Sequence, residues 1–425
     1  NVNVTMNLAS VAAEAVVVAQ TEAISQQAQQ ATTYSTDLLA KLPTARNINS
    51  AVLLSPGLNN SGPNGVSIAG AQSTENLYTV NGVTITDNVR STANALFIED
   101  AIQETTTITS GVSAEYGRFT GGVVNTITKS GGNTFSGSFR TTFTNDNWNA
   151  YSDYRNPPTH ATCPNCNPQE GTFLDKIVPT YEATLGGPII KDRVWFFGAG
   201  RYFDTVGDRS TITRQTNIPV IYGDEELRYE GKLTITPFQN HTVTASYLKN
   251  DRDQVNYWFD TPADLNVFYD RSTPQDIMVF QYNGVLTNNL FVDAFYSKRQ
   301  FTFENSGSRF TDIVRGTPIK DQNLGVVYNS PTFCGVCSPE TRDNDDYVLK
   351  ATYFLSTKSL GTHNIVVGYD DFGGQRLSNN YQSGSNFTLY STTASIVKGQ
   401  DIYPVFDSNS YVVYWPIFQL SKGND

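Results

Sequence analysis

Hydrophobic and polar residues alternate with a period of two in four stretches of this chain. In residues 228–235, Tyr229, Gly231, Leu233 and Ile235 share one face, and Arg228, Glu230, Lys232 and Thr234 the other. In 241–249, Val243, Ala245 and Tyr247 alternate with Thr242, Thr244 and Ser246. The same division sets Tyr181, Ala183 and Leu185 against Thr180, Glu182 and Thr184, and gathers Tyr347, Leu349, Ala351, Tyr353 and Leu355 on one face. A helix would repeat every 3.6 residues, so these stretches predict strands with one apolar side. Short turns are expected near 188–192, 237–240, 287–289 and 358–362, and long connections over 145–179, 205–226, 251–275 and 305–345. Loops beyond about 15 residues are uncommon in a soluble sandwich. A membrane β-barrel has short turns on one side and long loops on the other. The strict short–long rhythm therefore predicts antiparallel transmembrane β-barrel strands over residues 132–425.

The chain before residue 132 is patterned differently. Residues 1–34 are small and polar, with a Gln/Ala run at 26–31 that reads as a linker and one apolar patch, Ala15 to Ala19. Short helices are expected at 35–42, stopped by Pro43, and at 47–54, before Pro56-Gly57. Strands follow at 66–70 and 77–85, where Asn81-Gly82 is a strong two-residue hairpin turn. A further helix is expected at 95–104, then strands around Ile108 and over 121–128. Residues 35–131 thus read as a small mixed α/β domain, without the Gly pattern of a phosphate or dinucleotide loop. The fold class expected for the whole is mainly β, a small α/β domain followed by an incomplete antiparallel transmembrane barrel.

Composition narrows the function. Aromatic residues make up 12% and charged residues only 16%, against roughly 25% charged in ordinary soluble proteins. A net charge of −11 repels phosphate backbones and argues against nucleic acid as a partner. No run of 18 apolar residues could form a membrane helix. Barrel strands leave no such run, so the mean hydropathy of −0.34 is compatible with one.

Four cysteines form two Cys-x-x-Cys pairs, Cys163/Cys166 and Cys334/Cys337, each in a long Pro-, Asn- and Gly-containing loop. Disulfides, free thiols and a four-thiolate zinc site all fit the spacing; loops outside a cell, in an oxidising compartment, favour disulfides. His160, His241 and His363 show no triad arrangement, and His241 and His363 sit at equivalent turn exits. The acidic run 343–346 lacks the Gly and distal Glu of a calcium loop and reads as a solvated loop entering a strand. The charged set Glu182, Arg228, Glu230 and Lys232 is expected to face the lumen, as pore lining or as internal ion pairs. Solvent-facing charges on a soluble sheet would alternate as cleanly, and only the loop rhythm separates the two.

Ser67-Ile68-Ala69-Gly70, Ser73-Thr74-Glu75-Asn76, Val80-Asn81-Gly82-Val83, Ser113-Ala114-Glu115-Tyr116-Gly117-Arg118 and the run from Gly121 to Gly131 together resemble the plug of TonB-dependent outer-membrane receptors, in their Oar-like branch. Gly70, Asn81, Gly82, Tyr116, Gly117, Gly121, Gly122 and Asn125 carry the plug motif. Phe135-Ser136-Gly137-Ser138 resembles the start of that family's first barrel strand, and Leu185 to Arg193 with Trp195-Phe196-Phe197 its first periplasmic turn and next strand. Ala69 stands where the family often has Arg, and Asn81 where it usually has Asp. The resemblance implies that Val16, Val17, Val18 and Ala19 are handed to TonB as an added strand. It also implies that residues 1–13 end a carboxypeptidase-regulatory-like domain, with 14–34 a TonB-box-like segment and linker, 35–131 the plug and 132–425 the first part of the barrel. TonB with ExbB/ExbD and outer-membrane lipid are the implied partners, in the outer membrane of a Gram-negative bacterium, with no cofactor, metal or catalytic residue. About ten or eleven strands follow Phe135, against roughly 22 in a plugged transporter, and 422–425 lack a terminal aromatic strand. The chain is therefore expected to be a piece of a longer, processed protein.

The function expected is energy-coupled uptake of a bulky polar substrate, an oligosaccharide, peptide or chelate, by a transporter that is not an enzyme. A surface adhesion β-protein and a secreted β-sandwich hydrolase are the competing readings. Neither requires a Gly-rich α/β domain before its sheet, and no paired carboxylate site supports the hydrolase.

Overall fold

The computed structural model describes residues 30–35, 38, 52–62, 65–87, 98–113, 116–145, 148, 172–357, 361–378, 381–391, 395–415 and 420–424. Segment 16–19, the domain expected at 1–13, residues 39–51 of the expected helices, His160 and Cys163/Cys166 lie outside the described residues.

A five-stranded sheet forms the plug, in the order Gln30–Ser35, Ile102–Ser110, Val123–Thr128, Leu77–Val80, Val83–Thr84. Leu77–Val80 and Val123–Thr128 run parallel, the other pairs antiparallel. Asn81 (φ 51°) and Gly82 (φ 87°) make the tight turn between Leu77–Val80 and Val83–Thr84. Positive φ at both central residues is what a two-residue hairpin requires, and Asn-Gly tolerates it best.

Two expectations are corrected here. Residues 30–34, read as the end of a linker, are strand: Tyr34 and two threonines fit a pleated edge, and Ile102–Ser110 supplies the ladder. The helix expected at 95–104 shrinks, among described residues, to a single turn, Glu99–Ala101, with strand from Ile102 onward. The β-branched run Thr105 to Ile108 outweighs the helical spacing before it.

Ten antiparallel strands form the wall around this domain. In order they are Ser136–Thr144, Val178–Ile190, Val194–Asp204, Pro219–Phe238, His241–Tyr257, Gln275–Thr287, Leu290–Phe303, Glu340–Thr357, Gly361–Ser378 and Leu420–Asn424; they are called barrel strands one to ten below. Strands one and ten are the two edges, and the sheet does not close among the described residues. Asp192 (φ 62°), Asn240 (φ 67°) and Gly361 (φ 85°) sit at three of the short turns. Several strands are far longer than a bilayer needs. Strand four has 20 residues, about 66 Å at roughly 3.3 Å per residue, where a tilted spanning strand needs about 9–11. The surplus runs out as polar ribbon, for example Asp224-Glu225-Glu226 paired with Arg252-Asp253-Gln254.

Burial follows the period of two. Leu185 and Leu349 are 53% and 54% exposed on the outer face, whereas Glu182, Arg228, Glu230 and Lys232 are all buried on the inner one. The plug core, with Val66, Ile68, Tyr78, Val80, Val83 and Ile85, continues into Leu248, Ile277 and Val279 of the wall. That shared apolar core holds the plug beside strands five and six. Arginine at Leu185 should cost about 2–4 kcal/mol near the bilayer midplane, and arginine at the inward Thr184 much less. Folded-barrel yields of Leu185→Arg and Thr184→Arg in the full-length protein check this, and equal yields would contradict it.

Above the long-loop end, Ile319–Asp321, Val326–Tyr328, Phe387–Ser391 and Tyr411–Tyr414 build a small sheet over Ala263, Val326 and Tyr328. The Asp264 side chain accepts from the Asn266 and Asn329 backbone N–H groups; burial raises its carboxyl pKa against these bonds.

Candidate functional site

The chemistry of this molecule is concentrated where the plug meets the inner wall. Strand four presents Glu230 and Lys232 on one face because they lie two residues apart. Both reach Thr128 at the end of the plug strand Val123–Thr128: Lys232 Nζ donates to Thr128 O at 2.8 Å and pairs with its hydroxyl at 2.7 Å, and that hydroxyl also bonds the Glu230 carboxylate. Asn81 completes the group. Its Oδ1 accepts from the Thr128 N–H at 3.0 Å and lies 3.5 Å from Lys232 Nζ. A neutral Asn at 81 thus still meets the wall, with the negative charge beside Lys232 supplied by Glu230. At Gly82, a Cβ would stand 3.1 Å from the Phe295 ring of strand seven, so the turn is pressed against the wall.

Beyond this turn charged residues of the plug meet charged residues of the wall. Asp87 carries a 2.8 Å ion pair with Arg342 Nη1 of strand eight, both side chains being buried. Arg342 Nη2 also holds Glu340 at 2.7 Å. Arg299 of strand seven, fully buried, donates to Thr86 O at 3.2 Å, and Asn344 donates to Thr84 O at 3.1 Å. On the far side Glu99 lies 3.4 Å and Glu182 3.3 Å from Arg201 Nε, and Asp100 3.1 Å from Arg140 Nε. Arg118 of the plug reaches Asp346 at 4.0 Å and Asp370 at 3.8 Å, its guanidinium 3.8 Å from the Phe372 ring centroid.

The acidic run 343–346 is therefore not a solvated loop. It lies inside strand eight, with Asn344 and Asp346 buried toward the plug. In a plugged barrel the polar face of a strand is covered by protein, so clustered charge does not mean solvent there.

The motif glycines and their neighbours position these groups. Gly121 and Gly122 admit Asn76, whose Oδ1 accepts from the Gly122 N–H at 3.1 Å while its Nδ2 donates to Val66 O at 2.8 Å. A Cβ on Gly121 would lie 2.3 Å from that Oδ1. Asn125 Oδ1 accepts from Thr79 Oγ1 at 2.9 Å, bridging the parallel pair. Tyr116 packs against Leu77, Ile108 and Val123. Gly70 (φ 85°) ends the turn after Ile68, and Gly117 lies next to Arg118 (φ 61°). Asp87, Arg299 and Arg342 are not singled out by the sequence, and Asn76, Thr128 and Asn344 stand in quoted runs without a role in docking. Counting in twos from the buried Ser297 puts Arg299 inward, but nothing local marks Asp87 as its neighbour.

Outside the seam, Cys334 and Cys337 are joined in a disulfide, and His241 Nδ1 bonds Tyr282 Oη at 2.8 Å, spanning two strands.

A wall of long-looped, outward-apolar strands around a sheet docked by ionic and amide contacts defines a plugged outer-membrane barrel. Residues 23–124 match the family described as TonB-dependent Receptor Plug Domain. Over 229 residues the chain is 35% identical to the TonB-dependent transporter Oar of Myxococcus xanthus, covering 47% of this chain and 20% of that protein. Among solved structures, the outer membrane transporter YddB from Escherichia coli is similar with a TM-score of 0.61 at 14% identity, over 92% of this chain and 52% of that one. The siderophore receptor PirA from Acinetobacter baumannii gives 0.57 at 17% identity, over 83% and 49%. The chain spans about half the length of these structures and a fifth of Oar. Residues 23–124 thus match the plug domain of TonB-dependent receptors, and the longer similarity is to a TonB-dependent transporter of the Oar branch.

Proposed function

We propose that this chain is the plug and the first part of the barrel of a receptor that imports a bulky polar substrate across the outer membrane. The observation that carries this is the polar docking of the plug. Along strands one, three, four and seven to nine it is held by ion pairs and hydrogen bonds that water can replace, so a pulled plug can be rehydrated step by step. In this reading Val16 to Ala19 is delivered to TonB, with ExbB/ExbD supplying the energy, and a flexible linker transmits the pull. The domain division 1–13, 14–34, 35–131 and 132–425 belongs to the same proposal, with Gln30–Ser35 added to the plug sheet. Substrate classes in keeping with it are an oligosaccharide, a peptide and a chelate; YddB is named a transporter and PirA a siderophore receptor.

The test is a strain lacking the receptor, offered each class in turn as sole source of carbon, nitrogen or iron. Uptake of one class, lost on deletion and on collapse of the proton-motive force, is the expected result. Uptake of all three unchanged by deletion would contradict it. The loop cysteines, Cys163 and Cys166 included, are proposed to be oxidised and outside the cell. An impermeant thiol reagent on intact cells should label them only after reduction; labelling without reductant, or stoichiometric zinc, would contradict this.

A further inference from the structure

Where the loop ribbons leave the wall, a cavity of about 230 Å³ opens between the extension of strand five and the loop after strand seven. Phe268, Tyr269 and Gly307 line it as buried residues, while Asp270, Asn305 and Arg309 line it as exposed ones. Tyr269 is only 5% exposed, yet its hydroxyl has no hydrogen-bond partner among the described residues. The Ser306 hydroxyl, between two lining residues, is also buried and without a partner among the described residues. Buried hydroxyls are nearly always paired, because an unpaired one gives up hydration and gains nothing. Two beside one cavity point to a ligand that completes them.

The site is built and stiff. The Tyr269 ring meets Tyr257 at 5.6 Å, and Phe268 meets Trp258 at 5.4 Å, both edge-on. The Arg271 guanidinium lies 3.5 Å from the Tyr257 ring centroid and packs on that ring. Asp270 Oδ1 accepts from the Asn256 N–H at 2.8 Å, which orients the carboxylate. Gly335 and Val336 close the cavity between Cys334 and Cys337, whose disulfide staples that wall.

The lining also states what it would hold. Asp270 and Arg309 carry opposite charges, so a ligand of either net charge gains little. Hydroxyl, carboxamide, carboxylate and guanidinium groups supply donors and acceptors in several directions, beside the apolar Phe268 and Val336. A ring with hydroxyls at its edge and C–H bonds on its faces meets both requirements, and the volume suits one such ring. We infer that this cavity binds a single neutral sugar residue, with the Tyr269 hydroxyl bonded to a ring hydroxyl. As a capture point for cargo it rests on the uptake reading above; as a sugar site it stands on the lining alone.

The test is calorimetric titration of the full-length receptor in detergent with a panel of methyl hexopyranosides, with glucuronate and glucosamine as negatively and positively charged controls. Tyr269→Phe removes only the hydroxyl, so hexoside binding should weaken about tenfold while the thermal midpoint stays unchanged or rises. Asn305→Ala, at the rim, should weaken the same hexoside. No hexoside binding to the wild type, equal affinity in Tyr269→Phe, or preference for a charged control would overturn the inference. A fall in the midpoint of Tyr269→Phe would overturn it too, by showing that the hydroxyl already has a structural partner. If the bound hexoside is not taken up by cells, the uptake reading fails and the sugar site stands.

Discussion

Asp87→Ala should loosen the plug by about 3–5 kcal/mol while leaving the barrel wall folded. Asp87 and Arg342 are both buried and 2.8 Å apart, and removing one partner of a buried pair leaves the other charge without compensation. Two features enlarge the effect. Arg299 is fully buried next to the same plug segment, with Nε and Nη2 lacking partners among the described residues. Without Asp87, two guanidinium groups face the segment with Glu340, 2.7 Å from Arg342, and Asp343, beside Arg299, left to balance them. The measurement is the denaturant midpoint for plug release in the full-length receptor, followed by protease sensitivity of residues 65–87. Asp87→Ala combined with Arg342→Met should recover part of the loss, since no orphan charge remains at that pair. An unchanged midpoint in the single variant would mean that the pair does not hold the plug.

Val17→Pro should abolish uptake while ligand binding at the cell surface persists. Proline fixes φ and removes the N–H that a strand added to a sheet edge must donate. Val16, Val17 and Val18 are β-branched and stand beside a Gln/Ala run, a composition suited to leaving one protein and pairing with another. If the segment were instead a core strand of a preceding domain, Val17→Pro would lower folded protein, so binding and uptake would fall together. Surface binding and uptake assayed in one strain, normalised to receptor in the outer membrane, separate the two outcomes. Normal uptake by a well-expressed Val17→Pro receptor would refute delivery of this segment.

Much of the architecture was legible because it rests on short-range chemistry. Asn81-Gly82 could be read as a hairpin from two residues, since the backbone they must adopt is set locally. The wall was legible from alternation and loop rhythm, which are properties of one strand and its connections. What failed was long-range. Gln30–Ser35 looks like linker until Ile102–Ser110 is beside it, some 70 residues on. The acidic run 343–346 reads as solvated loop because charge predicts water, and only the plug against strand eight reverses that inference. The Asp87–Arg342 pair joins residues 255 positions apart, beyond any motif. Strand length was underestimated for a related reason: outside the bilayer a ribbon can be polar on both faces, as around Asp224 and Arg252, so no alternation marks its continuation.

Cysteine-scanning cross-linking tests the coupling directly and needs no knowledge of the substrate. Single cysteines placed at Val16, Val17, Val18 and Ala19 of the full-length receptor would be paired in cells with a cysteine-substituted TonB. Disulfide-linked receptor–TonB should form at successive positions across the segment, and it should disappear when Val17→Pro is combined with cysteine at Ala19. Absence of the linked species at all four positions, in cells whose outer membrane holds folded receptor, would contradict the assignment of this chain to TonB-driven transport.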